Sequence, residues 1–422
     1  MSPDQKSNRN AMVIMAVLFF VFGFVTWLNG PLITYVKLAF GLDTDSRAFM
    51  VTTAFYMAYF FLALPSSWVL EKTGMKKGMA IALMVMALGT FLFGKYATDR
   101  NYPLSLAGLF IIGSGLSLLQ TASNPYISII GPIESAAKRI SIVGICNKVA
   151  GIISPIILSA FVLKGVNELE AKVQSAPDEQ VKEAILTDFA SKIYNPYLVM
   201  AGALLLLGFY ILRSALPEIK TSEANLQPSH SENAKDKTSI FQFPHLWLGA
   251  LCIFFYVGAE VMAGDAIGTY GKGFNIPTDE TKYFTSYTLA AMLIGYLIGL
   301  FTIPRYLSQQ NALKYSALSG ILFSFLAFVT HGYLSVAFVA ALGLSNALMW
   351  PAIFPMAING LGRFTEKGSA ILIMGIAGGA LIPKAFAALK EQYDFQATFF
   401  FIMVPCYLYI LYYSVKGYKA RG

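Results

Sequence analysis

Apolar stretches long enough to cross a lipid bilayer recur along the whole of this chain. No other feature constrains its fold as much. A hydrocarbon core of about 30 Å takes roughly 20 residues of helix at 1.5 Å rise. Such stretches lie near 11–36, 47–70, 78–97, 103–130, 140–163, 194–214, 243–271, 282–303, 315–331, 333–359, 368–389 and 396–415. Only 13% of the 422 residues are charged and 56% are hydrophobic. A soluble domain carries about 25% charge to cover its wet surface, so composition excludes one here. The first stretch is too long for a signal-peptide core and lacks a small-residue cleavage pattern, so it reads as a retained span. The expectation is an all-α membrane protein of twelve transmembrane helices.

Charge placement orients the spans. With the N-terminus inside, inner segments and span ends hold 18 of the 31 basic residues, among them Lys76, Lys77, Lys138 and Lys416, and outer segments hold 10. That bias predicts both termini in the cytoplasm and an even span count. The net charge of +8 is therefore a topology signal and implies no nucleic-acid partner. Cys146, Cys252 and Cys406 all fall in apolar stretches, which predicts neither a disulfide framework nor a metal site. The expected organisation is a tail over 1–10, a six-helix bundle over 11–215 with an outer loop at 164–193, a cytoplasmic linker over 216–241, a second bundle over 242–415, and a tail over 416–422. The linker is Ser-rich and poorly apolar, as a hinge between halves should be.

The halves echo each other. Phe20-Val-Phe-Gly matches Phe255-Tyr-Val-Gly, Asn124-Pro125 pairs approximately with Trp350-Pro351, and Ile153-Ser-Pro155 matches Leu381-Ile-Pro383. Parallel six-helix repeats mark the major facilitator fold, with substrate held near the midplane between two pseudo-symmetric halves. The loop Glu71-Lys-Thr-Gly-Met-Lys-Lys-Gly78 resembles a degenerate form of that superfamily's basic loop, and is equally readable as a plain positive-inside loop.

More specific residues follow. Leu118-Leu-Gln-Thr-Ala-Ser-Asn-Pro-Tyr126, with Gly131-Pro-Ile-Glu-Ser135 and Arg139, resembles the span 4–5 signature of the fucose–galactose–glucose:cation symporter family. So do Trp27-Leu-Asn29, Tyr256-Val-Gly-Ala-Glu260, Gly362-Arg-Phe-Thr365 and Gly368-Ser369. The resemblance implies import of a glucose- or galactose-like hexose, or of N-acetylglucosamine, across a bacterial inner membrane by cation symport. It also implies that proton-coupled fucose carriers need a carboxylate just after the span 1 Asn and another in span 4. Here those positions are Gly30 and Gln120. Gln120 points to the glucose/galactose branch, whereas Gly30 departs from the proton site.

Charges inside a bilayer are expensive and mark function by default. Only two acids, Glu260 and Asp265, sit well inside a span, both in span 7. Gly258, Gly264 and Gly268 flank them, and a break there could bring both acids to one cavity. At an offset of 235 residues Gly30 aligns with Asp265, so the missing first-half carboxylate has one at its pseudo-symmetric mate. Ion coupling is therefore assigned to Asp265, Glu260 and Asn29. Na⁺ at Asp265 is favoured over H⁺ because amides lie nearby and the usual proton carboxylates are absent; the alternative is a vestibule salt bridge.

A hexose needs amides and charges to fix its hydroxyls and an aromatic platform for its ring face. The candidates are Gln120, Asn124, Asn147, Lys148, Glu260 and Asn346, with Trp27, Tyr256 and Trp350 as platforms. Asn147 also matches the family's span 5 Asn. Lys148 requires a partner, for which Glu260 or a substrate oxygen would serve; otherwise it snorkels. Lys384 reads as reaching the outer interface, and Asn124-Pro125 as either ligand or kink. No histidine lies at midplane, which argues against a histidine relay. No catalytic set, nucleotide loop or cofactor motif is present. The reading is a monomeric secondary transporter working by alternating access, surrounded by lipid. A drug or anion carrier on the same fold is the alternative within transport, and a membrane sensor the alternative outside it.

Overall fold

The computed structural model describes residues 3–129, 136–214, 216, 238–303 and 305–420. Most of the expected linker, and the Gly131–Ser135 motif, lie outside these residues. Among the described residues, twelve helices are long and apolar enough to cross a membrane, from Asn10–Ala39 to Phe395–Lys419. The chain is a multi-pass membrane protein with all spans helical. That outcome follows from solvation, because a bilayer offers no partner for backbone N–H and C=O groups.

The packing repeats between halves. In the first, span 1 packs on span 5, span 2 on span 4, and span 3 on spans 4 and 6. In the second, span 7 packs on span 11, span 8 on span 10, and span 9 on spans 10 and 12. The halves then meet along two seams, span 5 against span 8 and span 2 against span 11. Glycines permit the tightest contacts within each half. A Cβ on Gly23 would stand 2.2 Å from the Asn147 carbonyl oxygen, and one on Gly378 would stand 1.8 Å from that of Phe254. Small residues that admit close backbone approach are the usual means of joining helices in lipid.

Three spans part into two separate α-helices, and span 11 is interrupted by the 3-10 turn Gly375–Ala377. Span 1 runs as helices Pro3–Thr26 and Asn29–Ala39, span 7 as Pro244–Gly264 and Ile267–Lys272, and span 10 as Gly332–Asn346 and Met349–Ile358. Two breaks have a proline in common. Proline has no N–H and its ring crowds the carbonyl four residues back. Pro31 thus disturbs Trp27, and Pro351 disturbs Ala347, where those helices stop. Span 7 breaks after Gly264, and its freed carbonyls are taken up by span 8: Thr288 donates to Ala263 at 2.7 Å and Thr285 to Gly264 at 2.8 Å.

The halves are latched at the end of the bundle opposite the termini. Asp45 pairs with Lys390 of the other half and with Lys37 of its own. Ser46 accepts from Lys384 at its hydroxyl (2.8 Å) and donates its amide to Glu391 at 3.0 Å. The stretch expected as an outer loop holds helices Val166–Gln174 and Glu179–Ser191. From the first of them, Glu170 accepts from Thr278 at 3.1 Å and pairs with Lys272 at 3.7 Å. Midway along the bundle the halves are joined again, where Ser286 of span 8 donates to the Ile152 carbonyl of span 5 at 2.9 Å.

Candidate functional site

The three breaks converge on the middle of the bundle. A Cβ on Gly264, at the span 7 break, would stand 2.6 Å from the Trp27 indole at the span 1 break. The two interruptions therefore abut across the interface between halves. Beside them lies a cavity of about 100 Å³ lined from both halves.

Its centre is charged. Lys148 of span 5 donates to Glu260 of span 7 at 2.9 Å, and both side chains are about nine-tenths buried. The Lys148 ammonium lies 4.6 Å from the centre of the Trp27 ring and 6.0 Å from that of Tyr296. Removing such a pair from water costs several kcal/mol per ion before the attraction is counted. Cation–π contact returns part of this, about 2 kcal/mol where the cation is desolvated. Lys148 thus has its partner in Glu260 and does not snorkel.

Amides surround the pair. The Trp27 indole N–H donates to Asn147 Oδ1 at 3.4 Å, and Asn147 Nδ2 donates to the Phe19 carbonyl at 3.4 Å. Gln120 Nε2 donates to the Tyr59 hydroxyl at 3.0 Å. Gln120, Asn124, Asn147, Lys148, Glu260, Trp27, Tyr256 and Trp350 all line the cavity. Gln120 and Asn124 are four residues apart and so share one face of an unbroken span 4 helix, despite Pro125. The Tyr256 and Trp350 rings lie 6.4 Å apart and form one wall.

Asn346, Asn29 and Asp265 do not line it. Asn346 is fully buried and accepts from Tyr407 at 2.9 Å, which makes it a span 10–12 packing contact. Asn29 is buried with its Nδ2 unpaired. Asp265 follows Glu260 by five residues, about 7.5 Å along a helix, toward the latched end. It is 2% exposed and forms no ion pair. The Tyr56 hydroxyl and Gly30 amide face its carboxyl, yet neither oxygen closes a hydrogen bond. An outer-vestibule salt bridge is thereby overturned: Asp265 is deep and unpaired. Lys384 instead serves the latch.

The sequence reading missed several lining residues: Tyr56 and Tyr59 of span 2, Tyr296 of span 8, and Phe19, Phe22 and Thr26 of span 1. Among 23 tyrosines and 33 phenylalanines, an aromatic in a span carries no mark of which way it faces. The i, i+3 spacing of Tyr56 and Tyr59 was the only available signal. Their rings stack at 6.3 Å. Among the described residues, no cluster of His, Cys, Asp and Glu suits a metal ion.

Known proteins resemble this chain along its length. Residues 15–383 match the family model described as Major Facilitator Superfamily. A glucose/galactose transporter of Brucella abortus is 31% identical over 99% of this chain and 96% of its own. The L-fucose-proton symporter of Escherichia coli K12 is 25% identical over 92% of this chain and 89% of its own. In structure, the FucP transporter in its outward conformation superposes with a TM-score of 0.76 at 23% identity, covering 97% of this chain and 98% of that one.

Proposed function

The chain belongs to the Major Facilitator Superfamily, and on that premise we propose that it imports a hexose of the glucose/galactose type, coupled to a cation, by alternating access. The observation that carries the proposal is the cavity between the halves. It combines a buried ion pair, three amides and an aromatic wall. Gln120, Asn124 and Asn147 would bind sugar hydroxyls, Lys148 and Glu260 would exchange their mutual bond for bonds to the sugar, and Trp27, Tyr256 and Trp350 would cover its apolar face. A drug carrier has little use for so many amides. Described arginines line no part of the cavity, which disfavours an anion carrier. The glucose/galactose transporter of Brucella supports the substrate class.

Asp265 is the coupling residue in this reading. An unpaired carboxylate buried this deeply is costly, so it calls for a cation. The sequence favoured Na⁺, but the surroundings favour H⁺. Na⁺ needs several oxygen ligands. Here the Gly30 amide that faces the carboxyl is a donor, and the Ala263 and Gly264 carbonyls each already accept one bond from a threonine. The proton-coupled fucose relative supports the same choice. The positive-inside bias supports a reading with both termini in the cytoplasm of a bacterial inner membrane, in which the latched end would be the periplasmic one and the carrier would be closed on that side.

The test is counterflow in proteoliposomes with a panel of labelled sugars, followed by uptake driven separately by a pH gradient and by a Na⁺ gradient. Exchange of glucose or galactose and acceleration by inward proton motive force are expected. Failure of every sugar to exchange would defeat the substrate reading, and drive by Na⁺ alone would defeat the proton reading.

A further inference from the structure

A second, larger cavity of about 600 Å³ lies on the flank of the bundle, at the seam where span 2 meets spans 7 and 11. Its walls are apolar and face outward. Phe60 and Leu64 come from span 2, Leu381 from span 11, and Trp247 from the start of span 7. All four are between 38% and 48% exposed, so in a membrane they meet acyl chains and not water. Among the described residues lining it, Lys367 alone is charged, and its side chain is exposed. From Lys367 to Leu381 is 14 positions, about 20 Å of helix. That is more than one leaflet's share of a core of about 30 Å.

The groove is closed at its lysine end by a stacked pair. The Phe241 and Trp247 rings lie 5.2 Å apart and within 5° of parallel. Both sit where the chain enters span 7, beside the terminus of span 11 that carries Lys367. Tryptophan and lysine at such a level mark the boundary between acyl chains and headgroups. A lysine there attracts an anionic phosphate, while a groove with no other polar lining suits a hydrocarbon chain.

We propose that this seam groove binds an anionic glycerophospholipid, with one acyl chain along span 2 and its phosphate at Lys367. The site is separate from the sugar cavity, and it bridges the two halves.

The test uses the full chain in phosphatidylcholine vesicles containing a fraction of either brominated phosphatidylglycerol or brominated phosphatidylcholine. The difference between wild type and Trp247→Phe isolates quenching of Trp247. Brominated phosphatidylglycerol should bind on the order of fivefold more tightly than brominated phosphatidylcholine, the effect of one lysine beside a headgroup. Lys367→Gln should abolish that preference and Lys367→Arg should keep it. Equal quenching by the two headgroups in wild type overturns the proposal. So does a Trp247 signal that resists both lipids, as it would if a protein segment filled the groove, and so does a preference that survives Lys367→Gln.

Discussion

Gly30 of span 1 and Asp265 of span 7 face each other across the interface between the halves. A Cβ on Gly30 would stand 3.4 Å from Asp265 Oδ1 and 2.4 Å from Thr285 Oγ1. The two positions related by the internal repeat are therefore neighbours in space, one from each broken helix. Where related carriers are expected to hold a carboxylate on span 1, this chain presents one to the same spot from span 7.

Gly30→Ala should be poorly tolerated for this reason. The added methyl meets the Thr285 hydroxyl well inside contact distance, and Thr285 is held by its bond to Gly264. Overpacking of this kind costs about 1–3 kcal/mol. A lowered Tm in detergent is expected, with coupled uptake reduced. A variant with wild-type Tm and uptake would show that the contact relaxes freely.

Asp265→Asn keeps the shape of the side chain and removes its charge. Sugar counterflow, which needs no gradient, should persist in this variant. Accumulation driven by a proton gradient should be lost. If accumulation survives at the wild-type level, Asp265 is not the coupling group.

The Lys148–Glu260 pair should behave as a unit. Glu260→Gln alone leaves a buried ammonium without a counter-charge, a loss of about 3–5 kcal/mol when one partner of a buried pair is removed. Lys148→Met alone should cost a similar amount. The double variant should recover much of the stability of either single variant and none of the transport. Thermal stability additive over the two changes would mean that the pair is not coupled.

The latch can be weakened without touching the cavity. Asp45 is about 17% exposed and holds Lys390 across the seam. Asp45→Asn removes a partly buried pair worth on the order of 1 kcal/mol. That shifts a two-state equilibrium by roughly fivefold toward separation at this end. Spin labels at Asp99 and Gln392, on opposite halves and both exposed, would report it as a larger long-distance population. An unchanged distance distribution would mean the closure rests on spans 1 and 7 and not on the ion pairs.

Much of the candidate site was legible because charge and amide groups in a span are rare. Lys148, Glu260 and Asp265 stood out against an apolar background, and the need of a buried lysine for a partner pointed to Glu260. Asn346 shows the limit of depth as a signal: an amide at the right level can equally serve packing, and its bond to Tyr407 comes from a span 61 residues away. The tyrosines were invisible for the opposite reason, since aromatics are common in these spans and only packing selects those that face the cavity.

The sequence by itself determined that the chain spans a membrane twelve times, because backbone groups in hydrocarbon must bond within their own helix and apolar length reports that directly. Proline alone did not decide the breaks: spans 1 and 10 part before Pro31 and Pro351, whereas Pro125 and Pro155 sit inside continuous helices. Only the tertiary structure decided that the breaks of spans 1 and 7 abut, that Asp265 stands unpaired against Gly30, and which end of the bundle is latched. Those relationships join residues hundreds of positions apart. They depend on how the two halves are packed, and a local sequence pattern carries no record of that.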